Sequence, residues 1–313
     1  MFRHILRRLL LAIPTLVVVI TIIFVIVRVI PGDPAQAALG EQASAEAVNR
    51  LREDLGLNKS LWAQYVDYMT GLLQGDLGKS LITRDSAWSQ ISFVLPYSLQ
   101  LTLAATLLSL LMGIPTGVIT AIKRNTWIDY VGRILSLAGL SAPAFYIGIL
   151  LIFIFAAKLD WFPAIGAGEF SEVGNNLHSL VLPAITLGLV ETAYVARMTR
   201  SVMLNVLSDD YVRTARAKGL TERAVLVKHA LRAALVPIVS LVGLFVISLI
   251  GSSVLTEEVF GRPGLGKLMI GATKQRDYTL LQAIMVVYAF IIVIINIVVD
   301  LVYTMVDPRV RKG

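Results

Sequence analysis

Asp210-Tyr-Val-Arg-Thr-Ala-Arg-Ala-Lys-Gly219-Leu220 is a charged segment between two apolar runs, and it predicts a short surface helix joining two membrane spans. Ser208 is placed to cap its start, and Asp209 and Asp210 fall in the first turn, where the positive end of a helix favours anions. Arg216 and Lys218 fall in the last turn, and Gly219 supplies the left-handed residue that ends it. The two alanines, Ala215 and Ala217, leave part of this helix bare, so another protein can approach its backbone. A membrane chain that displays such a helix is expected to be driven by something that docks there.

Outward from that segment the chain is apolar. Of its 313 residues 56% are hydrophobic and 16% charged, and its mean hydropathy is +0.75, which places it among integral membrane proteins. Six runs approach the roughly 20 residues that a spanning helix needs: 9–30, 99–122, 134–157, 180–196, 235–255 and 281–305. The fourth is the weakest, being short and carrying Pro183, Gly188 and Glu191. The first is too long for a cleaved signal peptide, and it runs into the surface stop Pro31-Gly-Asp-Pro34. The expected architecture is an all-α membrane protein with an N-terminal segment and first span (1–30), a helical extracytoplasmic subdomain (31–98), a five-helix core (99–305) and a short tail (306–313).

A net charge of +7 would suggest nucleic acid in a soluble protein; in this one the positive-inside bias accounts for it, and no nucleic-acid partner is expected. Seventeen of the 28 Lys and Arg flank one side of the six runs, eight of them in the fourth connection, against ten on the other side. Both termini and the coupling segment at about 209–219 are therefore read as cytoplasmic. With no cysteine there are no disulfides or thiolate metal sites, and His4, His178 and His229 lie too far apart to read as a ligand cluster.

In the first external loop Ser44 is placed to cap a run with Val48, Leu51 and Leu55 on one face, stopped by Gly56; a second run carries Trp62, Tyr65, Met69 and Leu72. Gly261-Arg-Pro-Gly-Leu-Gly266-Lys267 imitates a phosphate-binding loop, but Leu268 stands where the Mg²⁺-binding hydroxyl belongs and no strand precedes it. A tight turn is the better reading. Arg28, Glu191 and Asp300 lie toward span ends and not at the midplane, which favours structural ion pairs over ion coupling. Gly113 and Gly117 in the second run mark a close helix approach; Ser248, Gly251, Ser252 and Ser253 in the fifth suit packing against a sister subunit or a polar passage. No serine–histidine–carboxylate group or paired carboxylates point to an enzyme.

The chain resembles the first membrane subunit of bacterial ATP-binding-cassette importers of the dipeptide, oligopeptide and glutathione type. The resemblance is carried by the basic N-terminus, Pro31-Gly-Asp-Pro34, Gln64-Tyr65, Gly75-Asp-Leu-Gly78, the segment from Asp210 to Gly219, Pro263-Gly-Leu-Gly266, Arg276-Asp-Tyr278 and Asp307-Pro-Arg309. It implies that the surface helix is the importer "EAA" loop, in which Arg213, Thr214 and Ala215 stand at the Glu-Ala-Ala triplet. Ala215 and Gly219 match that pattern and the two preceding positions do not. His229, Leu231 and Arg232 stand at the Ile-x-Leu-Pro element, with a proline only at Pro237.

From this resemblance follow a set of expectations. The chain belongs to the bacterial cytoplasmic membrane and binds no cofactor itself; ATP and Mg²⁺ are held by two partner ATPase subunits. Asp210, Arg213, Thr214, Ala215, Arg216, Lys218 and Gly219 couple to those ATPases. Asp76, Gly78, Pro263, Gly264, Gly266, Arg276 and Asp277 serve binding-protein or gate contacts, and a related permease completes the pathway. The solute is a di- or oligopeptide or glutathione-like peptide, with nickel chelates and other small solutes open in the same family. A stand-alone secondary transporter or channel, and a non-transporting scaffold, are the readings from other classes; neither needs a docking helix.

Overall fold

The computed structural model describes residues 2–29, 33–40 and 42–306. Pro31 and Gly32 of the surface stop, and the ending Asp307-Pro-Arg309, lie outside them. Described regular structure is helical: α1 (Phe2–Val29), α2 (Pro34–Leu39), α3 (Ala45–Asp54), α4 (Leu61–Leu73), α5 (Ala87–Ile122), α6 (Trp127–Ser141), α7 (Ala144–Leu151), α8 (Val173–Leu207), α9 (Asp210–Ala217), α10 (Glu222–Ala224), α11 (Arg232–Val259), α12 (Leu265–Lys274) and α13 (Tyr278–Val306). Wider π-type turns follow α7 (Ile152–Lys158) and precede α11 (Val225–Leu231). Helices are the expected solution, because hydrocarbon offers backbone amides no partner outside their own segment.

Five helices are long and apolar enough to span a membrane, and a bent pair makes a sixth. That pair corrects the sequence reading of the third span. The run at 134–157 is not one rod: α6 begins at Trp127, and the chain turns by 99° before α7. Pro143 is the cause, since its ring forces Ala142 out of the helical region, to φ −90 and ψ 128. The second span also starts earlier, at Ala87, and runs unbroken through Pro96 and Pro115.

The described residues form two compact units. The first is made of the described residues within Met1–Ile5, Tyr97–Arg262 and Ile295–Gly313. Its axis is α8, against which α6, α7 and α11 pack. The most apolar stretch of α8 is 67% buried, against at most 33% in the other long spans. This explains why the fourth span reads as the weakest: a helix surrounded by protein needs small and polar side chains for packing, not a lipid-facing apolar surface. Gly113 and Gly117 fulfil their expected role on α5. A Cβ at Gly113 would stand 2.8 Å from Val195, and one at Gly117 only 2.6 Å from the carbonyl oxygen of Ala196.

Two buried polar groups lock this unit. Asp129 on α6 is fully buried and accepts a bidentate pair of bonds from Arg200 on α8, at 2.7 and 2.9 Å, and the Asn125 amide at 3.0 Å. At the far end of α11, Glu257 and Arg262 are both fully buried. Ser98 donates to Glu257 at 2.6 Å; Arg262 donates to Gln100, which in turn donates to Asn176, and Asn176 donates to the Gly168 carbonyl. Glu191 differs from its expected ion pairing: it is buried, and its Oε1 has no partner among the described residues. Arg197 is six positions along α8, off the Glu191 face, and is exposed.

The second unit comprises Leu6–Pro96 and Pro263–Ile294. The Ser44 hydroxyl caps α3 as expected, accepting from Ala47, and Gly56 ends that turn with φ +66. Ser60 caps α4 in the same way. Val48 and Leu51 bury against Ala35 of α2, an element with no apolar period long enough to be read beforehand. Met69 and Leu72 of α4 pack with Ile20, Ile23 and Val286, and Tyr65 and Tyr68 set their rings on Phe24.

Candidate coupling site

The linker between α8 and α11 holds seven of the predicted site residues together. Ser208 does not cap α9: it ends α8 in helical conformation and donates to the Asn205 carbonyl. Asp209, extended at φ −67 and ψ 148, occupies the N-cap position without a side-chain bond. Lys218 follows the last turn, and Gly219 has φ +76, the left-handed conformation for which the glycine is required.

α9 is two-faced. Val212 and Ala215, three apart, are buried with Val225 of the π-type stretch and are joined by Val206 and Leu207. Ala215, 6% exposed, is therefore not the bare surface that its size suggests; it is small because the Val225 segment lies on top of it. The opposite face, at i, i+3, i+4 and i+7, is Asp210, Arg213, Thr214 and Ala217, all exposed. This is the surface left for a partner, continued by exposed Lys218.

The charges are not equivalent. Arg216 makes a forked pair with Glu222, at 2.7 and 3.1 Å, which ties the end of α9 to the start of α10. Its guanidinium holds the Glu222 carboxyl below the usual glutamate range. Arg213 reaches Asp210 within its own helix at 2.6 Å and stays 72% exposed. Burial, with the Asp209 charge second, raises the Tyr211 phenol, so it remains a donor at neutral pH. An acidic partner would therefore meet Arg213 and Lys218 before Arg216.

The second predicted set falls entirely in the second unit, Pro263, Gly264 and Gly266 at the start of α12 and the other four, Asp76, Gly78, Arg276 and Asp277, in the turns after α4 and before α13. Asp76 accepts from the Gly78 amide, and a Cβ on Gly78 would stand 2.7 Å from Thr279. Asp277 is buried, accepts from Ser80 and caps α13 at the Leu280 amide, so its carboxylate is committed inward. Of these four only Asp76 and Arg276 are exposed. Gly264 is the N-cap of α12, and Gly264 and Gly266 are buried. Sequence reasoning missed Asp129, Gln100 and Arg262. The one available signal was a carboxylate, Asp129, alone among basic residues in the second connection. Among the described residues no three of His, Cys, Asp and Glu converge as metal ligands would.

Comparison with known proteins bears on the family and the fold. The family model described as binding-protein-dependent transport system inner membrane component matches residues 113–312, and its N-terminal companion matches residues 1–102. The dipeptide transport system permease protein DppB of Alkalihalophilus pseudofirmus is 40% identical, covering 99% of this chain and 100% of that one. The glutathione transport system permease protein GsiC of Pectobacterium atrosepticum is 39% identical with 99% of each covered. The di/tripeptide permease DppB of Pseudomonas aeruginosa is 42% identical, again with 99% of each covered. Among solved structures, the inward-facing methionine transporter MetNI matches with TM-score 0.56 at 20% identity over 69% of this chain and 97% of that one, a likeness of fold. The chain belongs to the binding-protein-dependent transport system inner membrane component family, whose members are multi-pass transport permeases and not enzymes.

Proposed function

We propose that this chain is one of two membrane subunits of an ATP-binding-cassette importer for a small peptide-like solute. Its α9 is the element gripped by a cytoplasmic ATPase subunit. A second ATPase grips the sister permease, and a binding protein delivers the solute at the opposite face. ATP and Mg²⁺ stay on the ATPase subunits, and this chain contributes a change of access driven by their closure. Solute class rests on the relatives named for dipeptides and glutathione.

The observation that carries this reading is the two-faced α9. Its inner side is bolted to the linker through Val212, Ala215 and Val225, and its outer side presents a polar helix surface that no described residue outside the helix covers. A stand-alone carrier has no need of that surface. Exposed Ser248, Gly251 and Ser252 on α11 suit a small-residue contact with the sister subunit.

The absence of cysteine makes the test direct. Lys218→Cys and Asp76→Cys are labelled with a membrane-impermeant maleimide in intact cells and in inverted vesicles. The reading expects Lys218→Cys to react only in inverted vesicles and Asp76→Cys only in cells. Arg213→Glu combined with Lys218→Glu should release the ATPase during purification and abolish uptake. The opposite labelling, or uptake by the purified chain alone, overturns the proposal.

A further inference from the structure

We infer that the second unit carries a binding pocket for a small carboxylate-bearing solute, held by Arg28, Tyr68 and Gln282. A cavity of about 200 Å³ opens where the end of α1, the α4 helix, the turn at 75–78 and the start of α13 meet. Its wall includes Arg28, Tyr68 and Gln282 on one part, with Asp76, Gly78 and Tyr278 among the remainder. Three hydrogen-bond donors thus share one small space.

Two of these donors lack acceptors within hydrogen-bonding distance. Gln282 is 6% exposed, yet its Nε2 has no partner among the described residues, and neither has the buried Tyr68 hydroxyl. Arg28 donates to the amide oxygens of Gln64 at 3.0 Å and Gln282 at 3.4 Å, and its guanidinium lies over the Phe24 ring. No described carboxylate pairs with it. Of the two carboxylates on the wall, Asp67 is taken by Lys59 at 2.6 Å and Asp76 accepts from the Gly78 amide. Burial pushes the Tyr68 phenol up to about 12, although the neighbouring Gln282 amide and the Arg28 charge both lower it, so it is a donor throughout the physiological range.

A buried amide N–H and hydroxyl without partners are destabilising, and a half-buried cation without a counter-ion adds to this. One group answers all three: a carboxylate has two oxygens and about four acceptor sites, and it takes charge-assisted bonds from arginine. The cavity lies below the roughly 300 Å³ of common ligand pockets, which limits the occupant to the size of an amino acid or a dipeptide. Asp76, exposed at the rim and already bonded through one oxygen to Gly78, offers a place for an ammonium group. The inference rests on the importer reading only for the side from which the solute arrives.

The test uses the full-length chain in lipid nanodiscs without ATPase subunits, so that failure of coupling does not affect it. Binding of radiolabelled L-alanyl-L-alanine is measured by equilibrium dialysis against its C-terminal amide. Saturable binding of the dipeptide, with the amide at least tenfold weaker, is expected. Gln282→Leu and Tyr68→Phe should each weaken the dipeptide roughly tenfold, the effect of losing one donor to a charged acceptor; unchanged thermal unfolding of Tyr68→Phe guards against misfolding. Absence of dipeptide binding, equal binding of the amide, or variants that bind like the parent would overturn the assignment. The first result would mean that any carboxylate at Arg28 comes from a neighbouring protein's side chain or from none.

Discussion

Ala215→Leu and Ala217→Leu make the same chemical change two residues apart and should have opposite consequences. Ala215 is 6% exposed and closed in by Val212 and Val225, so three added carbons have no space to enter. Overpacking of this kind costs about 1–3 kcal/mol, equivalent to a factor of roughly 5–150 in how firmly α9 is held to the Val225 segment. Ala217 is on the opposite, exposed face, where a substitution stays within about 0.5 kcal/mol, but it adds bulk where an ATPase would close on the helix. The assay is a pair of measurements on each variant: the apparent thermal midpoint of the purified permease, and the fraction of ATPase that co-purifies with it. Ala215→Leu should lower the midpoint and loosen the ATPase secondarily; Ala217→Leu should leave the midpoint unchanged and lose the ATPase. If Ala215→Leu is as stable as the parent and simply fails to hold the ATPase, the inward packing of α9 is wrong.

The Asp129–Arg200 pair should behave as a buried ion pair. Asp129→Ala alone is expected to cost about 3–5 kcal/mol by stranding Arg200, and adding Arg200→Met should recover much of that loss in a thermal-stability measurement; additive losses would contradict the pairing. Gly117→Val should block assembly of α5 on α8, since its Cβ would stand 2.5 Å from Thr199 and 2.6 Å from a backbone oxygen, whereas Gly251→Ala, with nothing within 4 Å, should express normally. The Arg216–Glu222 pair sets a pH window. Arg216 lowers the Glu222 carboxyl, so the pair's contribution is fully present above the ordinary glutamate value of about 4.3 and is lost as pH falls through the lower, folded-state value. ATPase association measured between pH 5 and 8 should therefore not vary on account of this pair; a loss centred near pH 6 would refute it.

Much of the architecture was readable because it depends on local pattern. Ser44 stands three residues before the amide it caps, and the apolar period of Val48, Leu51 and Leu55 fixes one helix face. The glycines at 113 and 117 announced a close helix contact, although not that α8 was the neighbour. What stayed hidden depends on residues distant in the chain. Asp129 and Arg200 are 71 positions apart, and Arg262 and Gln100 are 162 apart, so no local period links them. The bend at Pro143 was missed for a related reason: hydropathy averages over a window and does not register that one ring excludes its predecessor from the helix.

Helix α9 sits on the boundary between these two cases, and that is instructive. Its charges, its ending glycine and its length are local properties, and the sequence exposes them. Which of its two alanines faces a partner is decided by Val225, ten residues beyond Ala215 and outside the helix. With Val225 in place, the inner face of α9 is joined to the stretch that continues as α11, while α8 leads into its N-terminus through Asp209. A force on Arg213, Thr214 or Ala217 is thus borne by two long helices that already pack against each other, not by a loose loop. Under the proposed coupling, the inward alanine is what would make the outward face stiff enough to be driven.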